Sequence, residues 1–306
     1  MKKNRRQFIQ TAGTVTAGAL ILPHWACGNS EKPATMEEQP TVTTAKPKGD
    51  IDQFGIQLYT LRDVITEDPK VTLKALSDYG YRQIESYEGP QGIFWNMKNT
   101  EFQKYLADLG MNMVSAHANV FENVEEKAAQ IAEIGGSYLI CPYIGPGKSA
   151  EEWKKTVDTF NECGEVCAKN GIKFAYHNHD YSFEEEIDGM KIQDYLMQNT
   201  DEGKVNYEID MYWVVEGGAS NIEYLKKYKE RFQLCHVKDR SKNAAQIEGN
   251  ASCTLGTGTI DYATILKVAE EVGMEYYIME QERYDNTTPM KCAEDGAKFL
   301  QQLKFA

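Results

Sequence analysis

From Phe54 onward, short runs of β-forming residues alternate with longer stretches whose apolar side chains recur every three or four positions. FGIQLY (54–59), QIES (83–86), NMVSAH (112–117) and SYLICP (137–142) are predicted strands, as are KFAYHNH (173–179), VNYEID (205–210), FQLCHVKD (232–239) and EYYIMEQE (275–282). Amphipathic segments such as VTLKALSDYG, VEEKAAQIAEIG and DYATILKVAEEVG follow them. Five helical patterns stop at a glycine (Gly80, Gly110, Gly135, Gly171 and Gly273), where a left-handed cap is expected.

Regular alternation predicts a parallel α/β fold. Eight units within residues 50–306 fit one (β/α)8 TIM barrel. A doubly wound sheet would show a glycine-rich phosphate turn after its first strand, where this chain has Tyr59-Thr60-Leu61-Arg62.

In such a barrel the chemistry gathers at the C-terminal strand ends. Here those ends carry Glu85, His117, His177, His179, Asp210, His236, Lys238, Glu280 and Glu282. Four of the five histidines in the chain fall there. Side chains two apart on a strand share a face, so His177 pairs with His179 and His236 with Lys238. Packing explains one such residue, but not imidazoles and carboxylates arriving from six strands.

Composition narrows the partners. The chain carries a net charge of −13, and removing the four cations near its start takes the remainder to −17. That excludes nucleic acid as the expected partner. Residues 1–27 join a basic head (Lys2, Lys3, Arg5, Arg6) to an apolar run too short for a membrane span. NRRQFIQ resembles a twin-arginine export signal, and Ala26-Cys27-Gly28 a lipoprotein cleavage site. The expectation is export to the periplasm or cell envelope, with a lipid on Cys27 as the only membrane contact. Residues 28–49 read as a flexible tether. With no close Cys-x-x-Cys pair, a thiolate zinc site is not expected.

Taken in order, GIQLYTLR, YRQIESY, VSAH, FAYHNHD, YEIDMYWV, CHVKDR, LGTGTIDY and YYIMEQE resemble the xylose isomerase-like TIM-barrel superfamily of sugar isomerases and epimerases. The resemblance implies one divalent cation (Mn, Co, Zn or Fe) held by His177, Asp210, His236 and Glu280, with His179 as the alternative to His177. It implies a metal-stabilised enediolate formed beside a sugar carbonyl, and hence an isomerase or epimerase acting on a small carbohydrate. Many epimerases of the superfamily have a glutamate where His177 stands, so one of their two flanking carboxylates is lost. The catalytic candidates are Glu280, Glu85, Lys238 and His117. Lys238 is alternatively an ion-pair partner of Glu280 or Asp210, and Arg62 is a candidate to hold Glu85. His179, Trp95, Tyr59 and Trp213 are the expected substrate contacts, with Trp95 in a lid. A 3-keto-glycoside lyase or hydrolase, and a tethered sugar-binding protein without turnover, stay open beside the isomerase.

Overall fold

Eight parallel strands close on themselves in sequence order in a computed structural model that describes residues 49–306. They are β1 (Gly55–Gln57), β2 (Gln83–Tyr87), β3 (Asn112–His117), β4 (Tyr138–Cys141), β5 (Lys173–His177), β6 (Val205–Asp210), β7 (Phe232–Val237) and β8 (Tyr276–Met279). β1 closes the ring by pairing with both β2 and β8. Gly55 permits that closure: a Cβ there would stand 2.6 Å from the Ile278 side chain. The expected export signal, Cys27 and nearly all of the expected tether lie outside the described residues. Among the described residues no helix is long and apolar enough to cross a membrane.

The principal helices are α1 (Pro69–Tyr79), α2 (Asn99–Asp108), α3 (Val124–Glu133), α4 (Ala150–Lys169), α5 (Ile192–Asn199), α6 (Asn221–Lys227), α7 (Tyr262–Glu271) and α8 (Pro289–Gln302). Their starts are chemically marked. Asp68 caps α1 ahead of Pro69, and Ser149 with Glu152 forms a reciprocal capping box on α4. The five glycines read as helix stops all adopt positive φ, between 70° and 109°. The main apolar core lies between helices and sheet. Inside the barrel, Tyr138, Ile140, Ala175 and Leu234 form a separate apolar floor, with Tyr276 packed against it.

Two strand pairs slip register, β2–β3 between Ile84 and Glu85 and β6–β7 between Tyr207 and Glu208. Such irregularities re-aim side chains. In each, the residue after the slip is a wholly buried glutamate.

The glycine-rich loop after β7 holds no ligand-sized cradle for phosphate. Its amides at Gly256 and Gly258 donate to Asp239 Oδ2 (2.9 Å each), and Ile260 donates to Oδ1 (3.3 Å). The loop therefore exists to satisfy a buried carboxylate. All six cysteines among the described residues are free.

Candidate metal and catalytic site

Inward-facing rows of β7 and β8 begin apolar at the barrel floor and end ionisable at the mouth. In β7, Leu234 is followed by His236 and then Lys238, and in β8, Ile278 by Glu280. The register places Asp210 beside His236 and His177 beside Glu208. Four residues remote in the chain thus meet in one buried layer.

Of the expected ligand set, Asp210, His236 and Glu280 cluster, and His177, which groups with His117, Glu208 and His236, approaches them through Asp210. His236 Nδ1 lies 3.2 Å from Glu280 Oε2 and 3.6 Å from Asp210 Oδ2, while His177 Nε2 lies 3.7 Å from the same Asp210 oxygen. Ligand atoms about 2.1 Å from a shared ion stand roughly 3–3.6 Å from one another, so this spacing suits a divalent cation. Asp210 divides its labour. Oδ1 accepts from the amides of Tyr212 (2.9 Å) and Trp213 (3.0 Å), capping the short helix Met211–Glu216. Oδ2 is buried without a hydrogen-bond partner, and an orphaned carboxylate oxygen facing two imidazoles fits a cation ligand. Asn178, between the two histidines of the FAYHNHD stretch, clips β5 to this residue. Its side chain accepts from the Asp210 amide (3.1 Å) and donates to the Asp210 carbonyl (3.2 Å).

Beneath this set lies a second ring of polar groups. Glu208, not anticipated from the sequence, receives contacts on Oε2 from His117 Nε2 (2.7 Å), His177 Nδ1 (3.0 Å) and His236 Nε2 (3.3 Å). Glu85 Oε1 takes Gln57 Nε2 at 2.8 Å and His236 Nε2 at 2.6 Å, and Oε2 takes the Ser115 hydroxyl. Glu85 is wholly buried and is not on the cavity wall, so its expected contact with substrate is not made. Arg62 does not hold it. That guanidinium binds the Tyr284 hydroxyl and the Glu282 carbonyl.

Lys238 is an ion-pair residue. Its ammonium contacts Glu282, lies 3.2 Å from Glu280 Oε2 and 3.8 Å from Asp210 Oδ2, and sits over the Trp213 and Tyr212 rings at 4.7 and 5.0 Å. Burial pushes its pKa down, but Glu282, Glu280 and Asp210 more than reverse this, so it stays charged. Glu280 is depressed in turn: burial opposes ionisation, and Lys238 and His236 outweigh it. Glu282 moves the other way, raised chiefly by burial.

Above the ring opens a cavity of about 560 Å³. Glu280 and Glu282 reach it from the β8 side, and His117, His177 and His179 from the β3 and β5 side, with Tyr59, Tyr87 and Tyr143 at the rim. Tyr59 and His179 thus stand where substrate contacts were expected. His179 Nδ1 is buried without a partner, and burial pulls its pKa down to about 3, leaving a neutral hydrogen-bonding ring. Trp213 packs against His179 with ring centroids 5.1 Å apart and is not on the cavity wall. Trp95 is no lid. The segment after β2 folds back, its indole donates to Ser86 Oγ at 3.1 Å, and the side chain is buried behind Tyr87.

The ion-free ring has a pH signature. Burial pushes His117 down, but Glu85 and Glu208 lift it from 6.5 to about 9. Burial, with repulsion from Glu85, lifts Glu208 from 4.5 to about 7. The His117 contribution is therefore full below 6.5 and lost as pH rises through about 9. The penalty for ionising Glu208 grows from about 4.5 and is complete above about 7. Both act in one direction. Chelator-treated protein is expected to lose roughly 5–10 °C of Tm between pH 6.5 and 9. Circular dichroism melting checks this, and a flat or rising Tm contradicts it.

Comparison with known proteins shows the family. Residues 73–303 match the family described as xylose isomerase-like TIM barrel. The chain belongs to that family. Among curated relatives, it is 27% identical over 166 residues to an inosose dehydratase of Clostridium perfringens, covering 50% of this chain and 55% of that protein. Against an inosose dehydratase of Clostridium beijerinckii it is 26% identical over 207 residues, covering 61% and 68%. The chain thus spans about half the length of the first of these relatives. A solved sugar phosphate isomerase/epimerase from Parabacteroides distasonis superposes with a TM-score of 0.70 at 25% identity, covering 85% of this chain and 96% of that one.

Proposed function

We propose that this protein is a metal-dependent lyase for small cyclic polyol ketones, keto-sugars or keto-cyclitols, that removes the proton beside the carbonyl and expels the neighbouring hydroxyl as water. The observation that carries this reading is the unlike character of the two walls of the cavity. Carboxylates Glu280 and Glu282 face imidazoles His117, His177 and His179 across the mouth. Epimerisation asks for two similar bases on opposite faces of one carbon. Elimination asks for a base on one side and an acid on the other.

A divalent cation held by His177, Asp210, His236 and Glu280 would polarise the substrate carbonyl and favour loss of the adjacent proton. Glu282, raised by burial and partly exposed to the cavity, accepts that proton. His117, kept protonated by Glu85 and Glu208, donates to the departing hydroxyl. A carbon–carbon double bond forms as the carbon–hydrogen and carbon–oxygen bonds break. Glu282 is left protonated and His117 neutral, and proton exchange with solvent resets both. His179 hydrogen-bonds the ring hydroxyls, and Tyr59 and Tyr143 flank the entrance.

The names of the curated inosose dehydratases support elimination. Isomerisation is the second reading, because it shares the first step and because the Parabacteroides structure carries that description. The twin-arginine-like pattern in residues 1–27 supports a reaction in the cell envelope on free sugars and glycosides. Incubation of the metal-loaded protein with keto-cyclitols and 3-keto-glycosides in deuterated water separates the readings by mass. Loss of water is the expected result. Deuterium uptake without loss of water establishes isomerisation, and ligand binding with neither sinks the enzymatic reading.

A further inference from the structure

The two rings of polar groups overlap in His177 and His236, and both imidazoles are used from both sides. His236 turns Nδ1 to Glu280 and Asp210 and Nε2 to Glu85 and Glu208. His177 turns Nε2 to Asp210 and Nδ1 to Glu208. Two clusters could therefore hold an ion: Asp210, His236 and Glu280 above, and His117, His177, Glu208 and His236 below. A neutral imidazole has one lone pair and one N–H. It can give its lone pair to only one of the two clusters.

Contact length decides between them. Below, Glu208 Oε2 already receives three imidazole nitrogens within 3.3 Å, and Glu85 receives Gln57, His236 and Ser115. Glu85 and the Oε2 of Glu208 are thus surrounded by groups able to donate. Above, Asp210 Oδ2 is buried without a hydrogen-bond partner, as Glu208 Oε1 is below. The two imidazole nitrogens facing Asp210 Oδ2, however, stand off at 3.6 and 3.7 Å, whereas the nitrogens facing Glu85 and Glu208 lie at 2.6 and 3.0 Å, within hydrogen-bond reach. Resting on the cation site of the proposed function, we infer that Glu208 and Glu85 are positioning residues that fix the tautomers of His177 and His236. Glu208 takes the Nδ1 proton of His177, and Glu85 takes the Nε2 proton of His236. Each ring then presents its free nitrogen, Nε2 and Nδ1 respectively, to Asp210. The chain holds one cation, and the lower cluster is the hydrogen-bonded support of the upper.

The two support residues come from β2 and β6, and both follow the register slips described above. The slips aim a glutamate at the back of each histidine. Carboxylate partners of this kind raise ligand basicity and fix ring orientation, and their loss lowers metal affinity by about 10–100-fold.

The test uses the full chain, stripped with chelator and titrated with Mn²⁺ by calorimetry. Wild type is expected to bind one equivalent. Glu208→Gln and Glu85→Gln are expected to bind one equivalent about 10–100-fold more weakly, with Asp substitutions recovering part of the loss. Two equivalents in wild type, falling to one in Glu208→Gln, would overturn the inference and make the lower cluster a site of its own. Affinity unchanged within twofold in both Gln variants would overturn it too, while leaving the proposed function standing. No binding by wild type would sink both. Nitrogen-15 NMR of the histidines in wild-type Zn²⁺-loaded protein needs no variant to fold. It should show Nδ1–H on His177 and Nε2–H on His236, and the opposite pair refutes the assignment.

Discussion

Replacing Asp210 with asparagine is expected to abolish cation binding and to lower turnover at least about a thousandfold, with the fold intact. The two carboxylate oxygens have separable jobs. Oδ1 caps the helix Met211–Glu216 through two amides, and asparagine supplies the same acceptor. Oδ2 faces His236 Nδ1, His177 Nε2 and the Lys238 ammonium at 3.6–3.8 Å. An amide nitrogen there turns donors toward a cation and removes the negative charge that draws it. Asp210→Ala would also lose the cap, at about 1 kcal/mol, so asparagine is the cleaner probe. Calorimetric titration with Mn²⁺, a melting curve of the chelated protein and the water-loss assay together read the effect. Cation affinity surviving within threefold moves the ion away from the upper cluster and ends the present assignment.

How much of this was legible in the sequence depends on the residue. The barrel was, because eight helix-period segments each closed by a polar or glycine stop leave few other folds. The upper cluster was legible in part, since Asp210, His236 and Glu280 each fall at or just past the C-terminal end of a strand, while His177 groups with the lower cluster. Glu208 was missed although the signal existed. It stands two residues before Asp210 on the same strand, and the face rule that paired His236 with Lys238 pairs these two as well. What the pattern could not supply is the register slip that turns Glu208 and Glu85 under the histidines. A slip is a relation between two strands, and no single segment encodes it. Trp95 misled for a related reason. An aromatic after a strand end reads as a lid, but Gly89 and Gly92 pair in a tight turn that folds the indole back onto Ser86. His179 lies beyond the end of β5, so its stay at the cavity depends on Tyr143, Tyr181 and Trp213 rather than on strand geometry.

Lys238→Met gives the second large effect, and its sign is diagnostic. In the ion-free protein this ammonium shares Glu280 and Asp210 with His236 and is the cation paired with Glu282, all buried or largely so. Removing it leaves Glu282 without its cation and Glu280 and Asp210 with His236 alone, which costs about 3–5 kcal/mol for a buried pair. Methionine fits the slot between the Tyr212 and Trp213 rings, so the loss is electrostatic rather than a cavity. Cation binding should move the other way. A positive charge 3.2 Å from Glu280 Oε2 and 3.8 Å from Asp210 Oδ2 repels any ion those oxygens hold. Deleting it is expected to tighten Mn²⁺ binding roughly tenfold or more. One substitution should therefore lower the Tm of chelated protein and raise the stabilisation gained on adding Mn²⁺, as mass action requires. A lysine that merely braced the wall would lower both. Weaker Mn²⁺ binding in Lys238→Met would show that the ammonium and the cation do not share those oxygens.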